Sequence, residues 1–291
     1  MMHSASRTTT PAVPRAMRRP RDRALHVPLV AVVLLASIAV AAPWLAPVPP
    51  NQIPSDGLIT ASSPTMAHPF GTDPLGRDVL SRVLYGARVS LGVGTLSVAL
   101  AVGFGGVIGA VAGFMGGVVD TVLMRLVDVL LAIPRLLLLL VVTALWESLP
   151  LSGLIVLLGL TGWYDVARLV RADVRALCGR DFVAAARAAG ASPARVLWRH
   201  LVPHLQPTLL VLGTLGLANA IVLEASLSFL GLGVQPPQAS WGSILGDGYV
   251  PGGRRWWLTL FPGIAVVSSV LTCNALADAL RRRFDGRQVG V

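Results

Sequence analysis

The stretch Asp181-Phe-Val-Ala-Ala-Ala-Arg-Ala-Ala-Gly190-Ala-Ser-Pro-Ala-Arg-Val-Leu-Trp-Arg-His200-Leu-Val-Pro203 lies between two apolar runs and decides how the rest of the chain is read. Asp181 has the short polar side chain of an N-cap, and Phe182, Ala185, Ala186 and Ala189 recur at i, i+3, i+4 and i+7, a narrow small-residue helix face. Gly190 suits the left-handed conformation that ends a helix. Ser192 and Pro193 form an N-cap and first-turn pair, opening a second helix with Ala194, Leu197, Trp198 and Leu201 on its apolar face, and Pro203 closes it. The pattern predicts two short helices hinged at Gly190. Small alanines on an amphipathic face, with Arg187 beside them, suit close docking into another protein's groove, although periodicity alone leaves docking and a plain loop both open.

Outward from this hairpin the chain is greasy: 54% of its 291 residues are hydrophobic, 13% are charged, and the mean hydropathy is +0.70. Such values belong to polytopic membrane proteins. About 20 apolar residues cross a bilayer as a helix, and six stretches qualify: Val27 to Leu45, Ser90 to Phe114, Val118 to Trp146, Leu151 to Val170, Leu205 to Leu230, and Trp257 to Leu280. The expected fold is an all-α polytopic membrane protein with six transmembrane helices and a cytoplasmic two-helix loop. The expected organisation is an Arg-rich tail (1–26), a first transmembrane helix (27–45), and an outer loop with an interfacial helix (46–89). A five-helix core (90–280) containing the 181–203 loop and a short tail (281–291) complete it. Arginines before the first span and alanines after it resemble a signal peptide, but five later spans favour a retained helix.

All 24 basic residues are Arg. A phosphate-binding P-loop and a Schiff-base enzyme both need lysine, so the chain does neither alone. Arginines near span ends stay on the cytoplasmic side. They concentrate in the first tail (Arg15, Arg18, Arg19, Arg21, Arg23), the central loop (Arg171, Arg175, Arg180, Arg187, Arg195, Arg199) and the second tail (Arg281, Arg282, Arg283, Arg287). Both termini and the central loop are therefore expected to be cytoplasmic, which also accounts for the basic charge without nucleic acid. The loops 46–89 and 231–255 then face outward, with Trp44, Trp256 and Trp257 expected at the interface. Within the first of these, Gly76 to Gly86 has helical spacing, with Val79, Leu80, Val83 and Leu84 on one side, as for a helix lying on the membrane surface.

The spans carry further signals. Gly105, Gly109, Gly113 and Gly117 stack on one helix face and admit a second backbone, of this subunit or of another. Pro134 breaks the third span, and Arg125 and Asp128 before it are close enough to pair. Glu224 has no positive neighbour in its span, so it needs a water-filled path, a buried hydrogen-bonding group or another subunit. Asn219, Asn274 and Asp278 place further polar groups in the last two spans, making Asp128, Asn219, Glu224 and Asn274 the translocation-path candidates. His200 and His204 are spaced i, i+4, but Pro203 interrupts them and no metal site is expected. Cys178 and Cys273 read as reduced structural residues. Serine elbows, paired catalytic carboxylates and Cys/His nucleophile sets do not occur at usable spacing, so no enzyme is expected.

The spacing Ala185-Ala186, Gly190, Pro203 resembles the Glu-Ala-Ala loop of membrane subunits in bacterial ATP-binding-cassette importers, with Ala184 where the family usually has Glu. His68-Pro-Phe-Gly-Thr-Asp73-Pro-Leu-Gly-Arg77-Asp78 and Tyr85-Gly-Ala-Arg88-Val-Ser90-Leu resemble the outer-loop signature of the second permease of dipeptide and oligopeptide importers. Asp120 to Asp128, Trp198 to Pro203, and Glu224 to Pro237 with Trp241-Gly242 are similar too, so the likeness covers about residues 68 to 285. The resemblance implies a type I importer permease in a bacterial inner membrane. Its implied partners are a homologous second permease, two ATPases that bind ATP and Mg, and a solute-binding protein, with no cofactor in this chain. Phe182, Ala185, Ala186, Arg187, Ala189, Gly190, Ser192, Pro193, Leu197 and Pro203 become expected coupling residues; Asp73, Arg77, Asp78, Gln235 and Trp241 become expected outer-partner contacts. Peptides are the expected cargo, while relatives for nickel, glutathione, haem or other small solutes share these signatures. An ion-coupled secondary transporter is the different-class alternative, needing ion sites at broken helices.

Overall fold

The computed structural model describes residues 23–54, 60–146, 149–249 and 255–288, so the tail arginines Arg15, Arg18, Arg19 and Arg21 lie outside it. Among the described residues the secondary structure is helical, apart from one isolated bridge between Thr72 and Asp78. The long elements are α1 (Arg23–Leu45), α2 (Val79–Met115), α3 (Gly117–Leu131), α4 (Arg135–Ala144), α5 (Leu151–Leu160) and α6 (Trp163–Cys178). After a hairpin comprising α7 (Asp181–Ala188), α8 (Pro193–Arg195), a π-helical turn (Val196–Leu201) and α9 (Val202–His204) come α10 (Gln206–Phe229), α11 (Trp241–Gly248) and α12 (Trp256–Gln288). Five helical segments, with α5 and α6 counted together, are long and apolar enough to cross a membrane; α3 and α4, bent 74° apart, make a sixth if taken as one broken span.

The bend follows from Pro134, whose ring blocks helix continuation. Arg135, the next residue, reaches to the neighbouring break between α5 and α6. Its Nη2 donates to Leu158 O at 2.7 Å and its Nε to Thr161 Oγ1 at 3.3 Å. A cation thus satisfies a carbonyl left free at a helix C-terminus.

The expected surface helix at 76–86 is instead the first turns of α2. Asp78 caps it by accepting from Ser81 N at 2.8 Å, and no breaker follows. Its 37 residues rise about 55 Å, far beyond a hydrocarbon core of about 30 Å. The extra turns are enclosed by a cap built from residues 60–78, α11 and the start of α12. Phe70 and Phe261 stack there with centroids 3.8 Å apart, and Val79, Ile244, Trp257 and Leu258 are buried together. Trp257 is correspondingly no interfacial anchor, since it is 5% exposed and donates its indole N–H to Thr72 O at 3.0 Å. Trp44 and Trp256 do stand exposed.

The glycine stripe packs within this chain. A Cβ on Gly105, Gly109 or Gly113 would lie 2.4, 2.4 or 2.7 Å from the carbonyl oxygens of Trp163, Ala167 and Arg171, so α2 and α6 touch backbone to backbone. Gly117, at positive φ, starts α3 and has open space around it. Asp120 joins α3 to α6 through a paired contact with Arg171, Nη2 to Oδ2 at 2.6 Å, and through Arg175 at 3.5 Å. Asp128 pairs with Arg168 at 2.7 Å. The expected partner was Arg125, but the α6 cation lies across the helix interface and intercepts the carboxylate.

Candidate functional site

The hairpin between α6 and α10 rests on the end of the α2–α6 unit. Val183 in α7 and Val196, Leu197 and Leu201 in the π turn are buried with Val166, Val170 and Val174 of α6 and Ala110 of α2. Phe182 lies half-buried and stacks on His204 with ring centroids 4.8 Å apart. Once these apolar residues are committed inward, α7 shows Ala184, Ala185, Arg187, Ala188 and Ala189 to the outside, while Ala186 packs against the core. The exposed surface is thus a shallow alanine strip edged by arginine.

Gly190 fixes the exit from α7. Its φ is +80°, its N–H donates to Arg187 O at 3.0 Å, and Ala191 N–H donates to Ala186 O at 3.1 Å. These two bonds form a Schellman cap. Ser192 then accepts from Arg195 N at 3.4 Å with Pro193 in the first turn, as the sequence predicts.

The hairpin differs from its sequence reading in three places. Arg180, in extended conformation, occupies the N-cap of α7, and Asp181 sits inside the first turn, where a carboxylate still complements the helix dipole. The second helix is largely a π turn, whose wider winding rotates its faces. Val196 therefore turns inward and Trp198, expected on the apolar face, is exposed; Ala194, also expected there, is exposed in the α8 turn before it. Pro203, expected to close the second helix, instead sits in the first turn of α9, which runs on to His204.

Glu224 is fully buried in α10. Its carboxylate accepts from Ser90 of α2 and from Ser228, each at 2.7 Å. Ser90 Oγ in turn accepts from Trp241 N at 3.2 Å and Ser228 Oγ from Val234 N at 3.0 Å. One carboxylate therefore ties α2, α10, the 230–240 loop and the start of α11 together. Asn219, Asn274 and Asp278 are exposed on other helix faces, so they do not share a surface with Glu224. Asp128 is also exposed.

Among the residues expected to meet an outer partner, Asp73 and Asp78 point inward. Asp73 is fully buried, accepts from Leu75 N and Arg77 N at 2.9 Å each, and pairs with Arg77 Nε at 2.6 Å. Arg82 lies 3.3 Å from both Asp73 and Asp247. Asp78 caps α2 and contacts His68 at 2.9 Å. Trp241 is 2% exposed and donates to Val83 O at 3.0 Å. Arg77 is mostly covered, which leaves Gln235 as the exposed member of that set, its amide donating to Gly231 O and Gly233 O. Turn formation and helix capping consume the acids that the motif makes conspicuous. Burial of Asp247 raises its pKa above the ordinary carboxylate value, against the opposing pull of Arg82.

Sequence reading missed the Asp120 and Arg135 contacts. A signal for the first is present: Asp120 interrupts an apolar run, and Arg168, Arg171 and Arg175 recur along one face of α6.

Residues 105–289 match the protein family described as binding-protein-dependent transport system inner membrane component. A Brucella abortus protein provisionally named a peptide transport system permease is 41% identical over 96% of this chain and 93% of its own length. A Brucella suis protein provisionally named a peptide permease is 39% identical over 99% and 95%. The dipeptide transport system permease protein DppC of Haemophilus influenzae is 34% identical over 91% of each chain. Taken with the apolar helices and the hairpin between α6 and α10, these matches establish that the chain belongs to the family of membrane-embedded permease components of binding-protein-dependent transport systems.

Proposed function

We propose that this chain is one of two homologous permease subunits of a bacterial inner-membrane importer for di- and oligopeptides. In this reading two ATPase subunits drive it, and an external solute-binding protein delivers its cargo. The observation that carries the reading is the exposed alanine strip of α7, fixed at the end of an apolar bundle by the Gly190 cap. The names of its relatives support the peptide cargo. ATP and Mg belong to the ATPases, which fits a chain without lysine. The arginine distribution supports placing the hairpin and both termini in the cytoplasm.

Force on α7 has a defined route in this arrangement. Val183 and Leu201 press on α6, and α6 is locked to α2 through the glycine stripe. An ATPase that moves the hairpin thus moves α2 and α6 as one body, and the Glu224 network carries the displacement to the outer cap. Nucleotide shifts this equilibrium only through different affinities for the two arrangements.

The test is uptake of labelled dipeptides and tripeptides into proteoliposomes holding this permease, its homologous partner, the ATPases and the binding protein. ATP-dependent, binding-protein-dependent peptide uptake is the expected result. Uptake of nickel, glutathione or haem instead would reassign the cargo. Transport persisting without ATP or any ATPase would favour an ion-coupled carrier and overturn the reading.

A further inference from the structure

Between α1 and α2, bordered by α10 and α12, runs an open groove of about 490 Å³. Its walls are apolar, formed by Leu35, Ala39 and Val40 of α1 and Leu91 and Leu96 of α2, with Gly92 in its lining. A Cβ at Gly92 would meet nothing within 4 Å, so the groove is deepened there rather than filled. At one end of the α2 wall stands Arg88, an exposed cation inside a long apolar helix. Among the described residues no carboxylate lies within ion-pair distance of it, and its guanidinium carbon sits 5.8 Å from the centroid of Tyr85, nearer the start of α2. The side chain therefore leans toward the cap end of the bundle, which is the outer side under the function proposed above.

We infer that this groove holds an outer-leaflet glycerophospholipid, its phosphate on Arg88 and one acyl chain along the groove. The dimensions agree: from Arg88 to Leu96 α2 rises about 12 Å, close to the roughly 15 Å of hydrocarbon in one leaflet. Charge complementarity favours a phosphodiester, because a guanidinium binds phosphate through paired hydrogen bonds and Arg88, just before the expected span Ser90 to Phe114, can extend to headgroup level as arginines at span ends do. An apolar groove alone would accept any hydrocarbon. The cation at its outer end selects a lipid with a phosphate.

The assembled transporter, reconstituted in nanodiscs containing phosphatidylglycerol with a diazirine in one acyl chain, tests this directly. Photolabelling mapped by mass spectrometry is expected on peptides holding Val32 to Val40 and Leu91 to Leu96. Arg88→Gln should reduce that labelling about tenfold, the loss expected for one charge-assisted contact. Gly92→Leu should block it by filling the groove, while labelling at exposed Val122 and Val129 stays unchanged. Equal labelling in both variants would overturn the inference, as would groove peptides cross-linked to the partner permease instead of lipid. ATP-dependent uptake by the same unmodified complex reads the function separately, so failure of the lipid site leaves that result standing.

Discussion

Replacing Gly190 with valine isolates the contribution of one backbone conformation to coupling. Gly190 sits at φ +80°, and a Cβ added there would meet nothing within 4 Å, so overlap of the new Cβ with neighbours does not contribute to the effect. What remains is intrinsic: an L-residue in the left-handed region costs about 1–2 kcal/mol, and a β-branched one is disfavoured most. If that strain is relieved by opening the cap, the bonds from Gly190 N to Arg187 O and from Ala191 N to Ala186 O are lost. A shift of about 1–2 kcal/mol changes a two-state ratio by about 5–30-fold, and docking affinity falls by the competent fraction. Uptake per ATP hydrolysed, measured in proteoliposomes at equal permease content, is therefore expected to fall by about 5–30-fold for Gly190→Val. Gly190→Asn should stay near wild type because asparagine tolerates this conformation, and Gly190→Ala should fall between. Coupled uptake by Gly190→Val equal to wild type would refute the reasoning, because it would show that the αL cap does not set the docking geometry.

Three further outcomes follow from other contacts. Glu224→Leu leaves the Ser90 and Ser228 hydroxyls without their shared acceptor and should cost about 2–4 kcal/mol. The loss would be read as a lower thermal midpoint in detergent, with Glu224→Gln affected less. Gly109→Ala forces a Cβ to within 2.4 Å of Ala167 O and should destabilise by about 1–3 kcal/mol. Gly103→Ala, on the same helix with open space, should stabilise by about 0.5–1 kcal/mol, and the opposite signs are checked in one thermal-shift series. Ala184→Glu adds a carboxylate to the exposed side of α7 near its N-terminus, where the dipole favours negative charge; tighter binding of the ATPases, measured by titration in nanodiscs, is the expected result.

The features legible in the sequence are those that local chemistry decides. Gly190, Ser192 and Pro193 each impose a backbone geometry on their own turn, and the structure places the hairpin where they put it. Pro134 breaks its helix for the same reason. The apolar runs find their helices because length and hydropathy suffice. Side-chain partners behave differently. Asp128 had a candidate in Arg125 on its own helix, yet it pairs with Arg168, 40 residues away. Asp73, Asp78 and Trp241 sit in a polar loop motif and look like surface, but turn geometry and the α2 extension bury them.

The misplacement of Trp198 has a separate cause, which also bears on how the permease works. Periodicity assigns faces only when the winding is known, and the π turn at Val196–Leu201 rotates Trp198 outward where an α-helix would bury it. Conversion of that turn to α-helix would shift the buried set away from Val196 and toward Trp198, altering how the hairpin grips α6. An α-helical winding of the same six residues would present a different face outside. Fluorescence of a variant whose sole tryptophan is Trp198 reads this directly: a blue shift on adding the ATPases and nucleotide is expected if the turn rewinds during coupling. An emission maximum that stays fixed through ATP binding and hydrolysis would mean that the hairpin moves as a rigid body, with its π turn intact.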